Sequence, residues 1–370
     1  MNAISCIREQ LLFYFRGRSA LLAILKALNV GQGDEVAVQA YTCSAVYEAI
    51  NAAGAEALWI DVEPGGVTTS PKSLEARLSV RTRCVIIQHT FGIPADMRPL
   101  LETAGHLGLP VIEDCCHTLD ATYGASQVGT MGAAAFYSFE WGKPLVCGVG
   151  GAAIANDALL ESTMRMGWSE IAKPSISRVA RNELQYAGSR LMASPRLFYA
   201  LRSSYRFFSK VGLLEGTYHG IDEAASPQLA MAMAPPVRRR LRDALSTVPD
   251  LTSQARKISQ IYASNLPGTC HHVQFSPQAN PSYSRFPFFV QDKERWLAKA
   301  REARVEVAGW YETPVHPLTS SDLRKVGYEE GDCPNAESAT RSVVSLPTGP
   351  SVRGKKLDRI IEFLRSNHHA

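Results

Sequence analysis

Between residues 36 and 156, short apolar or β-branched runs alternate with stretches whose apolar positions recur at helical spacing. The runs are Val36–Tyr41, Ala57–Val62, Cys84–Thr90, Pro110–Cys115, Ala133–Phe139 and Gly151–Asn156. Strands interleaved with helices predict a mostly parallel sheet covered on both faces. Several runs end in polar residues, as in Gln88-His89-Thr90 and Glu113-Asp114. In such sheets ligands sit beyond the carboxyl ends of the strands. Upstream, Ser19–Leu28 has a helical apolar pattern with Gly17 just ahead of it.

Residues 161–216 carry little strand character. A long Arg-bearing helix is predicted over about 227–265, bounded by Pro227 and Pro267. Beyond it come a strand at Phe286–Val290, a helix over 292–303, a strand at Val343–Leu346 and a closing amphipathic helix near 355–366. The pattern divides the chain into a large α/β unit, 1–225, with a basic helical insertion at about 170–216, and a smaller α+β unit, 226–370, that begins with the long linking helix. There is no internal repeat and no low-complexity segment.

Composition narrows the function classes. With 370 residues, 45% apolar and 20% charged, the chain is an ordinary globular protein rather than a disordered or fibrous one. A net charge of +4 is too weak a field to make nucleic acid the main partner. Positive charge concentrates in 161–210, where nine Lys/Arg face three Glu. The segment Met1–Arg16 has a five-residue apolar core, Leu11–Phe15, with Glu9 before it, so no signal peptide is expected. No apolar run approaches the ~18 residues of a membrane span. The eight cysteines are scattered without CxxC spacing, which fits a reduced, cytoplasmic setting. Cys43, Cys115, Cys116 and Cys147 read as small core residues rather than metal ligands.

Four segments at strand ends or a helix start could each serve one atom group of a single cofactor. In Ser138-Phe139-Glu140-Trp141-Gly142-Lys143 a strand delivers a hydroxyl and, five residues on, an amine, ahead of Gly148-Val149-Gly150-Gly151. An amine hemmed by Trp141 and glycines is a candidate Schiff-base nucleophile. Asp114 follows Val111-Ile112-Glu113 at the end of a buried strand, where a carboxylate requires a cation or a strong donor. His117 stands three residues later. Gly17-Arg18-Ser19-Ala20 opens the first helix, whose free amides and dipole favour a phosphate. Tyr41, at the end of a strand, either stacks on an aromatic ring or packs in the core, and His89 could touch cofactor or substrate.

Together these segments resemble the pyridoxal-phosphate-dependent nucleotide-sugar aminotransferases of the DegT/StrS type, within the fold-type-I aminotransferase class. The resemblance rests on Gly17-Arg18-Ser19-Ala20-Leu21, Gly33-Asp34-Glu35-Val36, Tyr41-Thr42, Gly54-Ala55, Asp61-Val62, His89-Thr90-Phe91-Gly92-Ile93-Pro94-Ala95-Asp96-Met97, Ile112-Glu113-Asp114-Cys115-Cys116-His117, and Ser138-Phe139 with Lys143 and Gly150-Gly151. More diffusely it continues through Gln228, Arg256, Tyr262 and Val344-Ser345-Leu346-Pro347. It implies a three-layer α/β fold with a large mostly parallel sheet domain and a smaller C-terminal α+β domain. It further implies an amino group moved from an amino acid, glutamate in the first instance, to a keto group of a nucleotide-linked sugar, through a Schiff base of Lys143 with pyridoxal 5'-phosphate. On this likeness Asp114 pairs with the pyridine nitrogen, His117 supports the phenolic oxygen or Asp114, Tyr41 stacks on the ring, and Ser138 with the amides of Arg18 and Ser19 holds the phosphate. A homodimer with sites near the interface is implied as well.

Two alternatives share the scaffold: a pyridoxal-phosphate enzyme acting on a different carbonyl substrate, and a regulatory or binding protein without turnover. The chain departs from the family at Gly220-Ile221-Asp222, where Gly-x-Asn is usual, and in the length of the basic stretch 170–216. That stretch mixes Arg196, Arg202 and Arg206 with aromatics. Packing is its favoured role, ahead of gripping a nucleotide diphosphate and ahead of membrane contact.

Overall fold

The computed structural model describes residues 10–192 and 227–367. β1 (Leu12–Tyr14) leads into α1 (Gly17–Ala27), followed by β2 (Glu35–Gln39), β3 (Thr42–Cys43) and α2 (Ser44–Ala53). Next come β4 (Glu56–Ile60), α3 (Pro71–Arg77), β5 (Thr82–Gln88), α4 (Met97–His106) and β6 (Val111–Asp114). A hairpin of β7 (Thr122–Tyr123) and β8 (Ser126–Gln127) precedes β9 (Ala134–Ser138) and β10 (Gly151–Ala155). The helices α5 (Ala158–Ser169) and α6 (Ile176–Met192) close this half.

Seven strands form one sheet in the order β1-β10-β9-β6-β5-β2-β4. From β9 to β4 the strands run parallel, and β10 is antiparallel to both β9 and β1. Side chains alternate between the two covered faces. Val36, Val38 and Ile86 meet Leu21, Leu25 and Ile50 on one side; Ala37, Val85 and Ile87 meet Leu74, Met97 and Leu100 on the other. All six predicted runs are strands here. The short β1 lacked enough length to show a period.

The second half adds α7 (Pro235–Ala244), α8 (Val248–Ser264), β11 (His271–His272), β12 (Ala279–Asn280), β13 (Arg285–Phe289) and α9 (Lys293–Glu302). It ends with β14 (Val315–His316), α10 (Ser320–Leu323), α11 (Pro334–Ser342), β15 (Val343–Pro347) and α12 (Lys355–Ser366). β11, β13 and β15 form an antiparallel sheet. Its core includes Phe288, Trp296 and Phe363, with Trp296 edge-on to both phenyl rings.

The linking helix expected over 227–265 is corrected by proline. Residues 227–230 make a separate short turn, and the helix starts only at Pro235 because Ala234, ahead of a proline, is held extended (φ −62°, ψ 138°). A tight turn at Leu245–Thr247 then divides α7 from α8, whose first turn carries Pro249. The division at 225/226 lies outside the described residues, as does the insertion beyond residue 192.

The two halves share a core. Tyr311, Val315, Leu318, Tyr328 and Ala336 join the cluster built on α1 and α2. β14 pairs in parallel with β3, Val315 opposite Thr42 and His316 opposite Cys43. Asp61 caps α11 across the junction, taking the backbone N–H groups of Asn335 (3.0 Å) and Ala336 (2.8 Å). The C-terminal half is thereby fixed over the carboxyl ends of the parallel strands.

Candidate active site

The site begins where α1 closes on the sheet. Gly17, the first residue of α1, sits so tightly against β9 that a methyl group on it would come within 3.1 Å of Ser138 Cβ and 3.5 Å of Cys116 Sγ. The N-cap residue Arg16 is extended, its side chain does not cap the helix, and the first turn holds no acidic residue. The positive end of the helix therefore lies beside the buried Ser138. The structure thus brings Gly17, at the start of the helix, together with Ser138, two of the segments expected to serve one anion.

Asp114 ends β6 and is buried, accepting the backbone N–H of Cys116 on Oδ1 at 2.9 Å. Burial raises its carboxyl, opposed by hydrogen bonds from Cys116 and by the positive charge of Lys143. Among the described residues it makes no ion pair. His117 is buried as well, and its Nδ1 accepts the Phe91 backbone N–H at 3.3 Å. Its ring lies 6.2 Å from that of Phe91 and 5.8 Å from that of Trp310. Burial, reinforced by Lys143, pushes the imidazole well below its ordinary range, so His117 is neutral at pH 7.

Lys143 is half-buried on the loop between β9 and β10, its N–H bonded to the Glu140 carbonyl at 3.3 Å. Its ammonium acts electrostatically on Asp114, Cys116, His117 and Cys43. Gly142 beside it has φ 78°, and a Cβ there would lie 2.7 Å from the Trp310 indole. The other predicted neighbours of the lysine have separate tasks. Trp141 stacks on Tyr186, Gly150 packs against Met233 and Val237, and Gly151 lies against the Arg16–Gly17 backbone.

Tyr41 is fully buried with φ 65°, its carbonyl taken by Gln88 Nε2 at 3.4 Å. A left-handed conformation is costly for a side chain with Cβ and persists where the surroundings enforce it. Its ring centroid stands 4.6 Å from that of Tyr311 and 6.4 Å from that of Phe91. Arg18 turns its side chain to an ion pair with Glu48 of α2.

His89 resolves into a structural role. Its Nε2 faces Glu113 Oε2 at 3.2 Å and its Nδ1 accepts the Ala95 N–H at 3.2 Å. Glu113 also receives the backbone N–H groups of Gly129, Met131 and Gly132, each at 2.7 Å. The ligand-type atoms of His89, Glu113 and Cys115 all lie within 4.8 Å of one another. The imidazole nitrogens and both carboxylate oxygens are thus engaged by protein groups. Arg256 and Tyr262 hold backbone carbonyls, those of Pro281 and Asp120 at 2.9 and 3.0 Å and that of Pro347 at 3.0 Å. Gly220-Ile221-Asp222 lies outside the described residues.

Trp310 and Tyr311 are the site residues that sequence reasoning missed. They reach the centre from the C-terminal half, and their only signal was a bulky aromatic pair after Gly309 in a polar stretch. Arg16 and Glu140 were also missed; they form a buried ion pair at 2.8 Å.

The sequence profile described as the DegT/DnrJ/EryC1/StrS aminotransferase family matches residues 15–191 and 241–365. The chain is similar to the dTDP-3-amino-3,4,6-trideoxy-alpha-D-glucose transaminase of Streptomyces venezuelae, 28% identical over 353 residues, covering 94% of this chain and 80% of that one. It is 37% identical over 142 residues to the L-glutamine:scyllo-inosose aminotransferase of Streptomyces griseus, covering 38% of this chain and 34% of the relative. Among solved structures, S. venezuelae DesV in complex with a ketimine intermediate superposes with a TM-score of 0.75 at 23% identity, covering 97% of this chain and 85% of that chain. The fold is accordingly that of the fold-type-I aminotransferases.

Proposed function

This chain belongs to the DegT/DnrJ/EryC1/StrS aminotransferase family and is an aminotransferase; from that premise we propose that it uses pyridoxal 5'-phosphate to aminate a keto group of a nucleotide-linked sugar, taking the amino group from an amino acid such as glutamate. The observation that carries this reading is the convergence of Lys143, Asp114 and His117 beside the α1 N-terminus and Ser138.

The residues fit the cofactor group by group. The missing side chain of Gly17 lets helix amides and the Ser138 hydroxyl share one cradle, suited to a phosphate. Asp114 is a buried carboxylate without an ion-pair partner among the described residues, the acceptor that a protonated ring nitrogen requires. His117, being neutral, can hydrogen-bond the phenolic oxygen without adding charge. When bound, pyridoxal phosphate supplies an electron sink that lets an amino group leave one carbon and join another. Lys143 Nζ is the amine that would hold the cofactor's aldehyde carbon, and as a free amine it could carry a proton at that position. Asp114 keeps the ring nitrogen protonated. Tyr41, packed on Tyr311, would stack on the ring, and Trp310 over Gly142 would limit water at the lysine.

The Streptomyces venezuelae relative, matched over nearly the whole chain, is named for a dTDP-sugar, which supports the nucleotide-sugar acceptor. A second reading has one observation behind it: the inosose aminotransferase similarity favours a cyclic polyol ketone and glutamine as donor. Incubating the purified protein and the cofactor with glutamate or glutamine, and with keto sugar nucleotides or scyllo-inosose, decides between them by the mass of the aminated product. Amination of a keto sugar nucleotide is expected. Amination of the inosose alone would favour the second reading.

A further inference from the structure

We propose that the buried Arg16–Glu140 ion pair is a positioning strut that couples the anion cradle at the start of α1 to the loop bearing Lys143, so that filling one prepares the other. The inference rests on the proposed cofactor reading for the identity of the groups it couples.

Arg16 immediately precedes Gly17, and Glu140 stands three residues before Lys143. Arg16 Nη1 donates to Glu140 Oε2 at 2.8 Å, with side-chain exposures of 2% and 8%. Glu140 serves twice, because its carbonyl accepts the Lys143 N–H at 3.3 Å and so closes the turn that presents the lysine. A second contact staples the far end of the loop to the same point. At Gly151, where β10 begins, a Cβ would fall 2.2 Å from the Arg16 carbonyl carbon and 2.4 Å from Gly17 N. The lysine loop thus leaves and returns against the residues that open α1. On the other side of Gly17, Arg18 is tied to Glu48 of α2. The helix start is held between two ion pairs, a buried one leading to the lysine loop and a part-buried one leading to the neighbouring helix.

Two charges this deep cost desolvation that an apolar pair of similar volume would avoid, so stability alone is a weak reason for them. Their geometry gives a better one. An anion settling on the α1 amides places charge beside the Arg16 backbone, and the Arg16 side chain reaches through Glu140 to the turn carrying Lys143. Coupling between two sites is a free energy and acts equally in both directions.

The test uses the cofactor in two pieces. Pyridoxal, which lacks the phosphate, is titrated with the full-length protein with and without inorganic phosphate, and capture at Lys143 is read by absorbance and by mass after borohydride reduction. In the wild type, phosphate is expected to tighten pyridoxal capture by about fivefold or more, within the usual range of coupling. In Glu140→Gln and in Arg16→Met the enhancement is expected to vanish while each piece still binds. Because single changes strand a buried charge, Arg16→Met/Glu140→Leu removes both at once, its fold confirmed by circular dichroism and thermal melting. This double variant is expected to be at least as stable as the wild type yet uncoupled, and Arg16→Lys to regain part of the enhancement. A double variant with full coupling would overturn the proposal and leave the pair a packing feature. A wild type that captures pyridoxal at Lys143 without any phosphate effect would overturn it too. Failure to capture even pyridoxal phosphate at Lys143 would instead overturn the cofactor reading.

Discussion

At the scale of single residues, burial decides what each group can do. Asp114 can hold a ring nitrogen protonated only as an anion, and its burial is tolerable only when a positive group faces it. Asp114→Asn is therefore expected to lower steady-state transamination by several orders of magnitude while some cofactor still binds; rates near wild type would remove Asp114 from the mechanism. His117 is kept neutral, and the sign of its effect on stability follows. Below pH ~6.5 the unfolded chain's imidazole takes up a proton that the folded one refuses, so stability falls as pH drops, by up to about 1.4 kcal/mol per unit. Denaturant titrations at pH about 7.5 and about 5.5 should show that loss in the wild type and a smaller loss in His117→Gln. Asp114 and Ser138 were legible as candidates in the sequence because each lies at the end of an apolar run, and Lys143 because it follows Ser138 at a short spacing ahead of a glycine run. Trp310, Tyr311 and the Arg16–Glu140 pair were not, because their meaning lies in contacts between segments far apart in the chain, which no local pattern encodes.

At the scale of elements, the alternation of apolar runs with helical stretches made the strands of the parallel sheet legible, since its central strands are buried on both faces and end in polar residues. β1 escaped because three residues carry no period. The linking helix starts at Pro235 rather than at the expected Pro227, because a proline holds the residue before it extended, here Ala234. The junction between halves was also hidden, since Asp61 reads as an ordinary loop acid. Its two oxygens accept the Asn335 and Ala336 backbone N–H groups and Asn335 Nδ2, satisfying the positive end of α11 from another part of the chain. Asp61→Ala should destabilise the protein by about 2 kcal/mol in urea unfolding with an unchanged denaturant slope. A loss within ~0.5 kcal/mol would show that solvent replaces the cap.

At the scale of the whole molecule, the C-terminal half brings Trp310 and Tyr311 to a candidate site whose Lys143, Asp114 and Ser138 come from the first half. The family likeness implies a homodimer, which is an expectation for this chain. Leu159 and Met166 of α5 and Ile176 and Leu184 of α6 are 63–89% exposed, apolar side chains that a partner surface would cover if the dimer forms through these helices. A dimer burying more than about 2,000 Å² is expected to stay associated at assay concentrations in sedimentation velocity. A fully active monomer would contradict it. The central claim, that the first-half residues form one cofactor site around Lys143, is tested most directly by borohydride reduction of the purified protein with pyridoxal phosphate, followed by peptide mass spectrometry. The account expects a stable adduct on Lys143 that is absent from Lys143→Ala. An adduct confined to another lysine, or none at all, would contradict it.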